Sequence, residues 1–133
     1  MFKKDQAPQP VDLTETFGPE YCGFPVLFEV SGKTKARELP NGDRLYQNPT
    51  LRVTLTNKET GKQVTHGSTG TIRATDLEDG DVSLVSTGQN VIFSPSIGIV
   101  VLNGRYTFVE DEDENLSQPQ GDGRIIKACD QLA

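Results

Sequence analysis

The stretch Leu51-Arg52-Val53-Thr54-Leu55-Thr56 decides the fold class. Its three apolar residues alternate with an arginine and two threonines, so an extended chain has one apolar and one polar face. A polar turn at residues 57–61 follows, and residues 62–66 return with a weaker alternating pattern. The stretch therefore predicts a half-buried strand that continues into an antiparallel partner.

The same kind of pattern extends through most of the chain. From Cys22 onward, short apolar runs are separated by turn signals at intervals of about 8–12 residues, which is typical of a sandwich or barrel. No segment has a helical period of apolar residues over three turns. We predict an all-β protein, an antiparallel β-sandwich that is immunoglobulin-like or jelly-roll-like, with an extended N-terminal arm at residues 1–21 and the sandwich domain at residues 22–133.

Four glycine-containing motifs are predicted to end or turn strands. Asn41-Gly42 and Asn103-Gly104 have the residues that a two-residue hairpin turn requires. The second of them predicts a hairpin over residues 97–109. Ser31-Gly32 and Gly88-Gln89-Asn90 are expected to close the strands that precede them.

The N-terminal arm contains three prolines within its 21 residues, namely Pro8, Pro10 and Pro19. Proline has no N–H for a strand ladder, so we expect the arm to lie outside the sheets. Its spaced apolar residues Val11, Leu13 and Phe17 are candidates for docking on a neighbouring surface. A disordered tail is the alternative.

Charge and hydropathy exclude several classes of partner. The 133 residues include 13 basic and 19 acidic side chains, and the formal net charge is −6. No basic face suited to phosphates is visible, so we expect no nucleic-acid partner. The longest apolar run, Ile99-Val100-Val101-Leu102, is too short to span a bilayer, and we expect no membrane partner. The start Met1-Phe2-Lys3-Lys4 leads into polar residues, so we expect no export by a secretory signal.

The two cysteines, Cys22 and Cys129, lie at opposite ends of the β region. The first and last strands of a sandwich often lie near one another, and a disulfide here would close a loop of about 108 residues. Such a loop contributes about 4–5 kcal/mol if it is unstrained. Two separate reduced thiols in a cytosolic protein are the alternative.

Candidate chemistry is sparse. His66 is the single histidine and has no Cys or His at metal-ligand spacing, so we expect an exposed residue at a strand end. No Gly-x-Ser-x-Gly elbow and no phosphate-binding loop occur. We therefore predict no enzymatic activity and no cofactor.

Two acidic clusters are weak candidates for a calcium site. The first has carboxylates from Asp76, Glu78, Asp79 and Asp81, and the second covers residues 111–114. Neither matches the spacing of a calcium-binding loop. We expect both to be solvated loops and predict no metal site.

Five segments resemble a known family: Cys22-Gly23-Phe24-Pro25-Val26, LRVTLTNKETGK at residues 51–62, Ser68-Thr69-Gly70-Thr71, Thr87-Gly88-Gln89-Asn90 and GRIIKAC at residues 123–129. They look like small β domains found among uncharacterised secreted proteins of actinobacteria and among proteins of their tailed phages. The likeness covers residues 22–132. It implies that Cys22 pairs with Cys129.

The resemblance also implies a function without chemistry. The chain resembles a virion protein of an actinobacterial tailed phage, a capsid decoration or tail accessory protein whose arm docks on the shell or on a neighbouring copy. Its expected partners are the major capsid protein or another virion protein, with self-association into oligomers as a further expectation. The alternative is an extracellular, secreted or cell-surface actinobacterial domain that binds a protein or a glycan.

Overall fold

The computed structural model describes residues 9–133, and this part of the chain is almost entirely β-structure. Every strand pair is antiparallel, which confirms the predicted all-β antiparallel class. The strands and the helix are β1 Gln9–Phe17, β2 Val26–Glu38, β3 Arg44–Gln47, β4 Arg52–Asn57, β5 Gln63–Gly67, β6 Thr71–Asp76, β7 Val82–Ser94, β8 Gly98–Glu110, β9 Gln120–Lys127 and α1 Ala128–Leu132.

Strand β2 belongs to two sheets. Residues 26–34 of β2 pair with β1, residues 26–31 also pair with β4, and β5 continues this first sheet. Residues 35–38 pair with β3, and β6 to β9 follow in order in the second sheet. Within β2, Gly32 has a φ of +125°, and an added Cβ there would overlap the carbonyl oxygen of Thr50. Only glycine fits this position.

The first core lies between the first sheet, the beginning of β8 and α1. Three phenylalanine rings pack against one another at this core: the ring centroids of Phe17 and Phe28 are 4.8 Å apart, and Phe93, which is 38% exposed at the margin of the core, lies 5.0 Å from Phe28. Ile99 from β8 and Leu132 from α1 are fully buried in the same cluster. A five-residue helix does not hold its shape alone, so α1 depends on this packing.

The second core lies on the other face of β8. Val100 and Leu102 point into it, whereas Ile99 points into the first core, because successive side chains of a strand face opposite sides. Tyr106, Phe108 and other apolar side chains complete this cluster. The longest apolar run of the sequence, residues 99–102, therefore lies in a strand that is covered on both faces.

Three strands are longer than the sequence predicts. β2, β7 and β8 each have 13 residues and pass through the glycine motifs that were expected to end or turn them. The predicted hairpin over residues 97–109 is wrong, because residues 98–109 belong to β8 and Ile97 lies in the turn before it. Gly104 lies between Gly88 and Gly123 on the neighbouring strands, and a Cβ there would overlap the carbonyl oxygen of Asp122. These glycines allow close backbone contact within a sheet. A turn at Asn41-Gly42 does join β2 to β3, but it encloses residues 40–42 and only Gly42 has positive φ, so it is not the predicted two-residue turn.

The described part of the N-terminal arm is a strand. Gln9–Phe17 pairs with β2 at nine positions, so the expectation that the arm lies outside the sheets is wrong for these residues. Pro10 is tolerated because β1 is an edge strand, where half of the backbone groups need no ladder partner. The remaining arm residues of this prediction, 1–8, lie outside the described part of the chain.

Candidate functional site

The predicted disulfide is present. Cys22, shortly after β1, is bonded to Cys129 in α1, with Cα atoms 5.1 Å apart and a sequence separation of 107 residues. Gly98 leaves room for it, since a Cβ at this position would lie 3.2 Å from the sulfur of Cys129. The bond therefore ties the segment after β1 to the last helix.

His66 has a structural partner. Its Nε2 atom lies 2.7 Å from Oε1 of Gln131, which joins β5 to α1. The side chain is half-buried and not exposed as the sequence predicted. Its burial follows from α1, which packs next to β5 and has no helical signature in the sequence.

The two acidic clusters of the sequence meet in space. The turn between β6 and β7 lies next to the loop after β8, since a Cβ added to Gly80 in that turn would overlap the carboxylate of Glu112 in the loop. Burial raises the pKa of Asp81, and the charges of Asp79, Asp111 and Glu112 raise it further. Within residues 9–133, no three carboxylates, histidines or cysteines are grouped to hold a metal ion.

Among the calcium candidates, Asp76 has a different role. Both of its carboxylate oxygens accept hydrogen bonds from the guanidinium of Arg44, at 2.8 and 2.9 Å. Glu78 and Asp79 are exposed in the turn that follows. This paired geometry ties the end of β6 to the start of β3.

A groove in the second sheet is the feature that the sequence did not predict. It has a volume of about 560 Å³ and lies over the inner faces of β3, β6, β7 and β8. Its floor is apolar and consists of Ile72, Val82, Leu84, Ile92, Phe108 and Leu116. At the β2 side it is bounded by Thr34, whose hydroxyl donates to Oδ1 of Asn48 at 2.7 Å.

The rim of the groove is acidic. Glu110, Asp113 and Glu114 line it at the end of β8 and in the following loop. Burial raises the pKa of Glu110, and the charges of Glu114 and Asp111 raise it further, whereas Arg44 lowers it. Burial also raises the pKa of Tyr46, on the opposite wall. An apolar floor with a carboxylate rim suits a ligand that has both apolar and cationic groups.

The groove results from pairings between distant segments. Its floor residues come from three strands and from the loop after β8, so no local motif marks it. The available signal was the alternation of Leu84 on β7 and Phe108 on β8, which lie opposite one another in the ladder. If residues 82–94 are aligned with residues 98–110 as antiparallel strands, Leu84 and Phe108 fall on the same face of the sheet.

The predicted docking residues of the arm have different environments. Phe17 is only 6% exposed and Val11 is half-buried against the first core. Leu13 is 48% exposed because β1 lies at the margin of the sheet. Among the described residues, β1 has a strand partner on one side only. Leu13 and the free backbone edge of β1 are therefore the accessible part of this segment.

Comparisons with protein-family models, curated proteins and solved structures found no match for this chain. Within residues 9–133, no helix has the length and apolar content needed to cross a membrane.

Proposed function

We propose that this chain is a non-enzymatic structural protein of the virion of an actinobacterial tailed phage, a capsid decoration or tail accessory protein. Its partner is the major capsid protein or another virion protein. The observation that supports this proposal is the outer edge of β1, a nine-residue strand that has an exposed leucine at its centre and, within residues 9–133, a strand partner on one side only.

The free edge of β1 suits the addition of a strand from a partner. A strand that joins a sheet edge forms main-chain hydrogen bonds along its length, and side chains such as Leu13 add apolar contact. β1 also has two acidic residues, Asp12 and Glu15, and no basic one. Two copies paired through this edge would bring like charges together, so a strand from a different protein fits better.

The disulfide supports attachment at this place. Cys22 follows β1 by five residues and is bonded to α1, which is buried in the first core. A force applied to β1 is therefore transmitted through the Cys22–Cys129 disulfide to the buried helix α1, and not only along a flexible arm. This suits a protein that stays attached to a particle outside the cell.

The second candidate is a secreted or cell-surface actinobacterial domain that binds a protein or a glycan. The Cys22–Cys129 disulfide is compatible with that location, since disulfides persist in oxidising surroundings. In this case the protein would bind to actinobacterial cells and would be missing from phage particles.

The test begins with purified phage particles, in which mass spectrometry should detect this chain. Particles stripped of the protein are then incubated with the full chain or with Leu13→Asp, and co-sedimentation is measured. Leu13→Asp should weaken binding by about tenfold or more, because a buried leucine contact is replaced by a charge.

Leu77→Asp is the matched control, because Leu77 is 40% exposed and lies in the turn between β6 and β7, away from β1. It should bind as the unchanged chain does. Equal binding of the two aspartate variants would exclude the β1 edge, and absence of the chain from particles would exclude the virion function.

A further inference from the structure

We infer that the groove over the second sheet is a binding site for a small organic cation, a molecule with an apolar body for the floor and an amine for the acidic rim. This inference is independent of the proposed function. The groove has a volume of about 560 Å³, and small-molecule sites have volumes of about 300–1,000 Å³.

The pairing of the strands places a carboxylate at the end of an apolar row. Leu84 on β7 lies opposite Phe108 on β8, and Val82 lies opposite Glu110 in the same ladder. The two residues on each strand are two positions apart, so their side chains share one face of the sheet. Phe108 and Glu110 are separated by about 7 Å along β8. A ligand whose apolar part covers Leu84 and Phe108 can therefore reach Glu110 with an amine on a short linker.

The wall at the acidic end is formed by hydrogen bonds of the chain itself. The loop after β8 returns to make a bridge between Glu110 and Leu116, and Leu116 is buried. The carbonyl of Leu116 accepts a hydrogen bond from the hydroxyl of Ser96 at 2.7 Å, and its N–H donates to the hydroxyl of Ser94 at 3.3 Å. A ligand meets a formed wall here, which lowers the ordering cost of binding.

The charge of the groove favours a cation. Glu110, Asp113 and Glu114 line it, and none of its described lining residues is a lysine, an arginine or a histidine. Arg44 lowers the pKa of Glu110, but its guanidinium also binds both carboxylate oxygens of Asp76. Burial and neighbouring carboxylates raise the pKa of Glu110, and a cation among these carboxylates reduces their repulsion.

The aromatic side chains of the groove favour the same ligand. Tyr46 and Phe108 line it together with the carboxylates, and the face of an aromatic ring attracts an ammonium group. A fatty acid fits less well, because its carboxylate would meet the acidic rim. An extended peptide also fits less well, since Thr34 bounds the groove at the β2 side and the loop with Leu116 bounds it at the β8 side.

The test compares three probes that share a phenylbutyl group: 4-phenylbutylamine, 4-phenylbutanol and 4-phenylbutyrate. Each is titrated at pH 7 into the full chain with ¹³C-labelled methyl groups. The amine should shift the methyl resonances of Ile72, Leu84 and Leu116, and its ring should give nuclear Overhauser contacts to them. Its dissociation constant should be about 1 mM or lower, as expected for a ligand of this size. The alcohol should bind about tenfold more weakly, and the butyrate more weakly still.

Two glutamine variants separate the rim of the groove from the general charge of the protein. Glu110→Gln should weaken binding of the amine by about fivefold and leave binding of the alcohol unchanged. This variant keeps the fold, because a carboxyl whose pKa is raised on folding costs stability when it is ionised. Glu59→Gln is the matched control, since it removes the same charge from the exposed turn between β4 and β5. It should bind the amine as the unchanged chain does.

Several results would overturn the inference. They are equal binding of the amine and the butyrate, equal effects of the two glutamine variants, and an absence of methyl shifts in the groove at millimolar amine. Methyl shifts in the groove that depend on protein concentration without any probe would identify a second copy as the occupant and would also overturn it. None of these results affects binding through Leu13, so the two proposals fail separately.

Discussion

Removal of the disulfide, by substituting both Cys22 and Cys129 with serine, should lower the free energy of unfolding by several kcal/mol. The bond closes a loop with a separation of 107 residues. Chain entropy assigns about 4.7 kcal/mol to a loop of this size at 25 °C. A domain of this class has a total stability of about 5–15 kcal/mol, so the loss is a large fraction of it. The helix α1 should be affected first, because the bond holds it beneath the first sheet.

The assay is urea unfolding of the unchanged chain and of the double serine variant, followed by circular dichroism and by aromatic fluorescence. With a denaturant slope of about 2 kcal/mol per M, the midpoint should fall by about 2 M. Treatment of the unchanged chain with a reductant should give a similar shift, which separates the bond from the serine substitutions. A loss below about 1 kcal/mol in both experiments would refute the loop-closure reasoning.

Three further predictions concern single side chains. Gly32→Ala should lower the free energy of unfolding in urea titrations far more than Gly42→Ala. Both residues have positive φ, which costs an alanine about 1–2 kcal/mol, but only at Gly32 does backbone of residues 50–51 lie where the Cβ would be. Equal losses would contradict this close approach of the backbone. Asn57→Ala should lower the free energy of unfolding by about 1–3 kcal/mol, because the Asn57 side-chain amide donates a hydrogen bond to the carbonyl oxygen of the buried Leu132 at 2.9 Å. An unchanged denaturation midpoint would contradict this. Glu110→Gln should raise the melting temperature at pH 7, because a carboxyl whose pKa is raised on folding costs stability when ionised. That gain should vanish as the pH falls below the ordinary pKa of 4.5, and a gain that persists there would contradict the assignment.

The fold class was predictable because period-two alternation is a local property. The segment from Leu51 to Thr56 is largely β4, and a turn at Asn41-Gly42 joins β2 to β3 as expected, although it is longer than two residues. The lengths of β2, β7 and β8 were not predictable from the glycine motifs. A glycine with positive φ lies either in a turn or at a close contact between two strands, and the sequence does not distinguish the two. Only the pairing of Gly104 with Gly123 in the sheet shows that Gly104 lies at a close contact.

The candidate site was predictable only in part. The disulfide follows from two cysteines at the ends of a closed β domain. The burial of Phe17 was not visible, because it depends on the rings of Phe28 and Phe93, which are far apart in the sequence. The groove was not visible either, since its floor requires the order of β6, β7 and β8.

The strand shared by both sheets has a consequence for how the protein unfolds. β2 is hydrogen-bonded to the first sheet over residues 26–34 and to the second over residues 35–38, so neither sheet can dissociate without breaking bonds of the common strand. We therefore expect residues 9–133 to melt in one cooperative step, with the amide protons of β2 among the last to exchange with solvent.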